Sequence, residues 1–124
     1  MVNTLVSVFG KADIVKLDFD NIPLTEMVNF KGGQKTMRAR IFEDERNRIM
    51  LISLEPGASI GPHSHKSSSE IVYILAGQGL VQLEGAPSER LEAGTVHYCP
   101  RGGTHSFIND GSEELRCLAV IPQQ

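Results

Sequence analysis

The stretch Gly57–Gly77, GASIGPHSHKSSSEIVYILAG, decides how the rest of this 124-residue chain is read. It sets His63 and His65 one residue apart, with Glu70 five positions further on. Along a β-strand, residues i and i+2 share a face, so the two imidazoles point the same way. Residues Lys66 to Ser69 give the chain room to turn, and a returning strand that begins at Glu70 brings its carboxylate alongside. Imidazole and carboxylate are ligands for zinc, manganese, iron, nickel and copper. A fourth ligand is expected later in the chain, and His105 is placed to supply it. The stretch predicts a β-barrel holding one divalent metal ion.

Working outward, the pattern is β throughout from Lys35. Thr36 to Phe42 sets Met37, Ala39 and Ile41 on one face, with Arg38 and Arg40 on the other. Glu43 to Asn47 is a charged turn, and Arg48 to Leu54 is apolar on both faces, as in a strand buried on both sides. Glu70 to Leu75 has the same character. Leu80 to Glu84 alternates, Gly85 to Ser88 reads as a hairpin tip, and Thr95–Cys99, His105–Asn109 and Leu115–Ile121 are the last strands. Many short strands at roughly ten-residue spacing, with no convincing helix, mean an all-β sandwich or barrel. The first third says less. Val2 to Phe9 reads as a short strand, Ile14 to Phe19 as a half-buried one with Val15, Leu17 and Phe19 inward, and Leu24 to Phe30 as one helical turn.

Composition narrows the class. A single domain of 13.6 kDa has room for a real core without disulfide staples. A formal net charge of −3, with charges mixed along the chain, does not favour nucleic acid or an anionic membrane as partner. No apolar run approaches the roughly 18 residues of a membrane span. MVNTLVSVFGKAD lacks the basic flank and cleavage site of a signal peptide, and Cys99 and Cys117 form no CxxC. The expectation is a cytoplasmic protein with reduced thiols.

A second cluster, GTVHYCPRGGTHSFIN, runs from Gly94 to Asn109 and spaces Gly94, Pro100, Gly102, His105 and Asn109. The first spaces Gly57, His63, His65, Glu70 and Gly77, and sixteen residues separate the two. Together they resemble the two motifs of the cupin superfamily, with every signature position present. The short spacing is similar to that of the small microbial single-domain cupins, and the manganese cupins among them look nearest. Those typically carry four histidines, where this chain has Glu70 at the third ligand position. The resemblance implies a double-stranded β-helix, the cupin jelly roll, over residues 35–124, with 1–34 as an arm packing on the barrel or on a partner subunit. It implies His63, His65, Glu70 and His105 as ligands of one divalent transition metal. Without a metal, three buried imidazoles and a carboxylate would leave polar groups seeking partners at about 1–3 kcal/mol each.

Other residues have plainer readings. Gly57, Gly77 and Gly94 end strands, Pro100 and Gly102 make the turn before His105, and the Asn109 amide ties down a neighbouring loop. If Glu70 faces the metal, Ile71, Tyr73 and Leu75 face outward, too many apolar groups for a solvated face. Either the N-terminal arm or a second copy covers them, and an isologous homodimer is the expectation. Cys117 reads as core packing rather than a pocket thiol. Arg38 and Arg40 read as a solvated face or subunit contact rather than a carboxylate clamp. For His97, a role beside a ligand or in proton transfer is the alternative to a structural one. Tyr98 and Cys99 read as structural.

Fold does not give the reaction, because cupins include dioxygenases, decarboxylases, isomerases, lyases and non-enzymatic binders. The expectation is a mononuclear metalloprotein acting on a small polar organic molecule, with dioxygenase chemistry placed ahead of sugar isomerisation or lysis. A metal-anchored protein that binds a sugar or effector is the alternative. No catalytic residue beyond the ligand set is assigned.

Overall fold

The computed structural model describes residues 15–124. Ten strands form two antiparallel sheets. In chain order they are β1 Thr25–Val28, β2 Thr36–Glu43, β3 Asn47–Leu54, β4 Ser59–Ser64, β5 Glu70–Ala76, β6 Gln78–Leu83, β7 Ala86–Glu92, β8 Val96–Cys99, β9 Thr104–Ile108 and β10 Leu115–Pro122. One sheet has the order β1-β2-β3-β10-β5-β8 and the other β4-β9-β6-β7, so the chain passes repeatedly between them. This is the double-stranded β-helix. No helix among the described residues is long and apolar enough to cross a membrane.

Alternation along the strands builds the core. In β2, Met37 and Ala39 point inward, and in β5, Val72 and Ile74 do, with Ile74 and Ala39 fully enclosed. Leu115, Cys117 and Ala119 of β10 lie inside, as the outward Arg116 predicts. The inner faces of the two sheets pack Leu54, Ile74, Val81 and Leu115 between them. Fully burying one such side chain is worth about 1.5–3 kcal/mol.

Several local expectations change. Val2–Phe9 lies outside the described residues. Residues 15–18 pair with no strand, and Phe19–Asn21 is a single 3-10 turn capped by the Asp18 carboxylate, which accepts from the Asp20 amide. Thr25–Val28 is not helical. It is the edge strand β1, pairing Thr25 with Ala39 and Val28 with Thr36. β3 is closed on its inner face only, since Ile49 and Leu51 on the outer face stay half-buried. Most of the segment read as a hairpin tip belongs to β7, because Glu84 and Gly85, the latter at φ +80°, complete the turn in two residues.

Two glycines bring the N-terminal loop against β4. A β-carbon on Gly61 would collide with the Lys31 carbonyl, and one on Gly33 with the Ser59 carbonyl. Backbone therefore packs on backbone there, which sets one wall of the cavity described below.

Candidate metal centre

The site lies between the sheets at one end of the barrel. β4 pairs with β9, and a register shift between Ile60 and His63 sets His63 directly opposite His105. Bulges of this kind re-aim side chains. His65 follows the last residue of β4 and holds its direction through backbone bonds to the next turn, its amide donating to Gly103 O at 3.0 Å. Glu70 opens β5 in the other sheet, opposite Cys99. Two sheets thus supply one cluster. His65, Glu70 and His105 are buried and His63 is half-buried.

One ligand atom from each of the four residues lies within 4.8 Å of all the others. His65 Nε2 stands 3.0 Å from His105 Nε2, and His63 Nε2 stands 3.1 Å from His105 Nε2. Glu70 Oε1 stands 3.0 Å from both His65 Nε2 and His105 Nε2. It is nevertheless a buried oxygen that accepts no well-angled hydrogen bond. Four groups able to donate electron pairs meet here, and the carboxylate oxygen among them has no hydrogen-bond partner. Such a cluster fits a cation.

The outer ring nitrogen settles the tautomer of His63. His63 Nδ1 lies 2.8 Å from the Gly61 carbonyl, which can only accept, so Nδ1 carries the proton and Nε2 keeps its lone pair. His65 Nδ1 faces Ser68 Oγ at 3.3 Å. His105 Nδ1 faces His97 Nε2 at 2.9 Å. When Ser68 Oγ and His97 Nε2 accept from the other two Nδ1–H groups in the same way, all three Nε2 lone pairs converge. This outer support orients metal-binding imidazoles and raises their basicity. The chain's four histidines are all used in this way.

His97 is buried with its Nε2 against His105 Nδ1, a placement the sequence left unresolved. The missing information was the facing of β8, and the pairing of His97 with Val72 turns it inward. Replacing His97 by phenylalanine removes the acceptor for His105 Nδ1–H. Metal affinity is expected to fall about 10–100-fold, read by competition with a chelator, while His97→Gln, which keeps an acceptor, recovers most of it.

Burial raises the Glu70 pKa, but in the metal-free chain protons on the His105 and His65 nitrogens facing it outweigh that and hold the carboxyl at about 2. Burial pushes the His63 pKa below its ordinary 6.5. A lowered imidazole pKa keeps the neutral, ligating form present further into acid. Metal is expected to stay bound at pH 6.5 and to leave only below it, while Glu70 stays ionised throughout that range. Elemental analysis after dialysis across pH 4–7 checks this.

The remaining residues singled out from the sequence lie elsewhere. Cys117 is packed in the core, where burial pushes its thiol up to about 12. Burial also raises the Cys99 pKa. Arg38 and Arg40 sit on the outer face of β2. Arg38 pairs with Glu26 at 2.9 Å, and Arg40 donates to the Ile22 carbonyl. Neither reaches the cluster. What the sequence did not show is a cavity of about 540 Å³ that reaches the ligands and is walled by Met27, Met37 and Met50 among other apolar side chains.

Residues 50–121 match the family model of the cupin domain, and the chain belongs to that family. It is similar to the oxalate-binding protein of Thermotoga maritima, with 35% identity over 99 residues, covering 75% of this chain and 81% of that protein. A solved Thermotoga maritima structure described as a predicted oxalate decarboxylase superimposes with TM-score 0.82 at 28% identity, covering 89% of this chain and all of that one. A solved oxalate oxidase superimposes with TM-score 0.57 at 25% identity, over 62% of this chain and 42% of that one.

Proposed function

We propose that this cupin holds one divalent transition metal on His63, His65, Glu70 and His105 and binds a small organic carboxylate there. The convergence of three Nε2 lone pairs with Glu70 Oε1 carries the reading. Ligands at right angles on an ion with bonds of about 2.1 Å stand about 3.0 Å apart, the spacing of the four closest contacts. That spacing supports an octahedral ion with two positions left for a ligand. Three neutral imidazoles and one carboxylate leave such a site near +1, which suits an anion. Similarity to the oxalate-binding protein and to the oxalate decarboxylase-like structure supports a carboxylate.

The bound ion would supply Lewis acidity toward a carboxylate oxygen. The chain's residues do the rest. Gly61, Ser68 and His97 hold the imidazoles in register, and Phe107 packs its ring 4.6 Å from that of His105. Apolar side chains of both sheets restrict water beside the ligands. Oxygen-dependent turnover, the dioxygenase expectation, is the second reading, favoured by the likeness to oxalate oxidase. Titrating metal-loaded protein with oxalate, in air and under nitrogen, separates the two. Oxalate recovered unchanged supports binding, loss of oxalate only in air supports turnover, and no binding in either condition removes both readings.

We also propose that the chain assembles as an isologous homodimer through the outer face of the six-stranded sheet. Two cross-strand rows run over that face. One is Ile49, Val120, Ile71 and Tyr98, and the other is Leu51, Leu118, Tyr73 and Val96. Exposure rises along both, reaching 57% at Tyr98 and Val96. With Leu75, the exposed part is on the order of 500 Å² of apolar surface, large for a monomer. Neither row carries a charge on these strands, so the face is complementary to a second copy of itself. Pairing two copies buries on the order of 1,000 Å², the lower bound for a specific interface. Sedimentation analysis is expected to show a dimer that Tyr73→Glu converts to monomer. A wild-type monomer at tens of micromolar refutes it.

A further inference from the structure

The geometry points to a ligand with two parts, and this inference rests on the metal-anchored reading above. We infer that the site takes a 2-oxo or 2-hydroxy carboxylate whose third carbon bears a short aliphatic chain or one aromatic ring, and that it takes oxalate poorly by comparison. The argument is one of size and wall chemistry.

Oxalate has six non-hydrogen atoms and fills on the order of 100 Å³, set against about 30 Å³ for one water. The cavity measures about 540 Å³. Its volume is that of a site for a much larger organic ligand. A small dianion on the metal would leave most of the space to solvent.

The walls do not suit solvent. Beside the ligand cluster, Met37, Met50 and Ile52 come from the six-stranded sheet, and Ile60 and Phe107 from the four-stranded one. All five are nearly closed to bulk water, between 2% and 7% exposed. Further out, Met27, Phe30 and Ile41 continue the apolar wall. A water there needs two to four polar partners and finds thioether and hydrocarbon instead. Ser68 is polar beside the ligands, and the more exposed lining is charged, with Asp44 and Glu45 next to the Arg48–Glu43 pair at 2.7 Å and Lys31 over the Phe30 ring. The ligand cluster thus borders a buried apolar wall, and the charged side chains of the lining are the more exposed ones. An anionic chelating head followed by an apolar body matches it. Methionine suits such a wall because its unbranched thioether adjusts to bodies of different shape.

Keeping the head constant isolates the body. Full-length, metal-loaded protein is titrated calorimetrically with pyruvate, 2-oxobutanoate, 2-oxopentanoate, 2-oxohexanoate and phenylpyruvate, with oxalate alongside. Each buried methylene is expected to tighten binding about fourfold, and phenylpyruvate is expected to bind at least tenfold tighter than pyruvate. Met50→Gln, close to methionine in size but polar, is expected to flatten this dependence while metal content holds. Equal affinity across the 2-oxo acids, or oxalate tighter than phenylpyruvate, overturns the inference and leaves the metal-anchored reading standing. Full metal loading with no binding of any acid overturns both.

Discussion

Replacing His105 or Glu70 by alanine is expected to leave a folded chain that no longer retains a stoichiometric metal. Each change removes one of four converging donors, and His105 also carries the link to His97. Loss of an outer supporting group costs about 10–100-fold in affinity, so loss of a ligand is expected to cost at least 100-fold. Wild-type protein with metal at 100 times its dissociation constant gains about 2.7 kcal/mol. In a domain of this size that is a rise in Tm of about 10 °C. The alanine variants are expected to lose this rise while their metal-free Tm stays within a few degrees of the wild type. Elemental analysis and thermal melts with and without metal check both parts. Stoichiometric metal in either variant would remove the four-residue assignment.

The second large effect falls on Asn109, which is fully buried and whose side chain makes three hydrogen bonds. Its Nδ2 donates to the Leu54 and Glu113 carbonyls, both at 2.8 Å, and its Oδ1 accepts from the Gly111 amide at 2.9 Å. The amide joins the end of β9 to β3 and to the loop before β10. Asn109→Ala leaves the Leu54 carbonyl without this side-chain donor and frees the loop. Each buried group left unsatisfied costs about 1–3 kcal/mol, for a total of about 3–5 kcal/mol. A fall in Tm on the order of 15 °C is expected. Asp110→Ala, one residue on, removes only an exposed ion pair to Arg90 and is expected to change Tm little. Comparable losses in the two variants would show that the amide is not the tie it is described as.

The ligand set and Asn109 are both legible as sequence features. His63, His65, Glu70 and His105 stand at spacings that only two strands and their turns can bring together, and Asn109 closes the second cluster. Strand facings followed from the two-residue period. An outward Arg116 puts Cys117 inside, and an inward Glu70 puts Tyr73 outside, as the structure has them. Less was legible where pattern is weak. Thr25–Val28 is too short to alternate convincingly, and its strand character comes from pairing with β2.

The sequence by itself determined the barrel, the four donors and the row of outward apolar side chains, because each follows from local periodicity and spacing. Tertiary structure alone decided how those donors are used. The outer ring nitrogens meet groups brought from other segments: His97 from β8 against His105, and Ser68 from the following loop against His65. The shape of the cavity was also invisible in the chain. Met27, Met37, Met50 and Phe107 are far apart in sequence and become one apolar wall only when the two sheets face each other. Spacing along the chain fixes direction; only packing across sheets fixes distance, tautomer and volume.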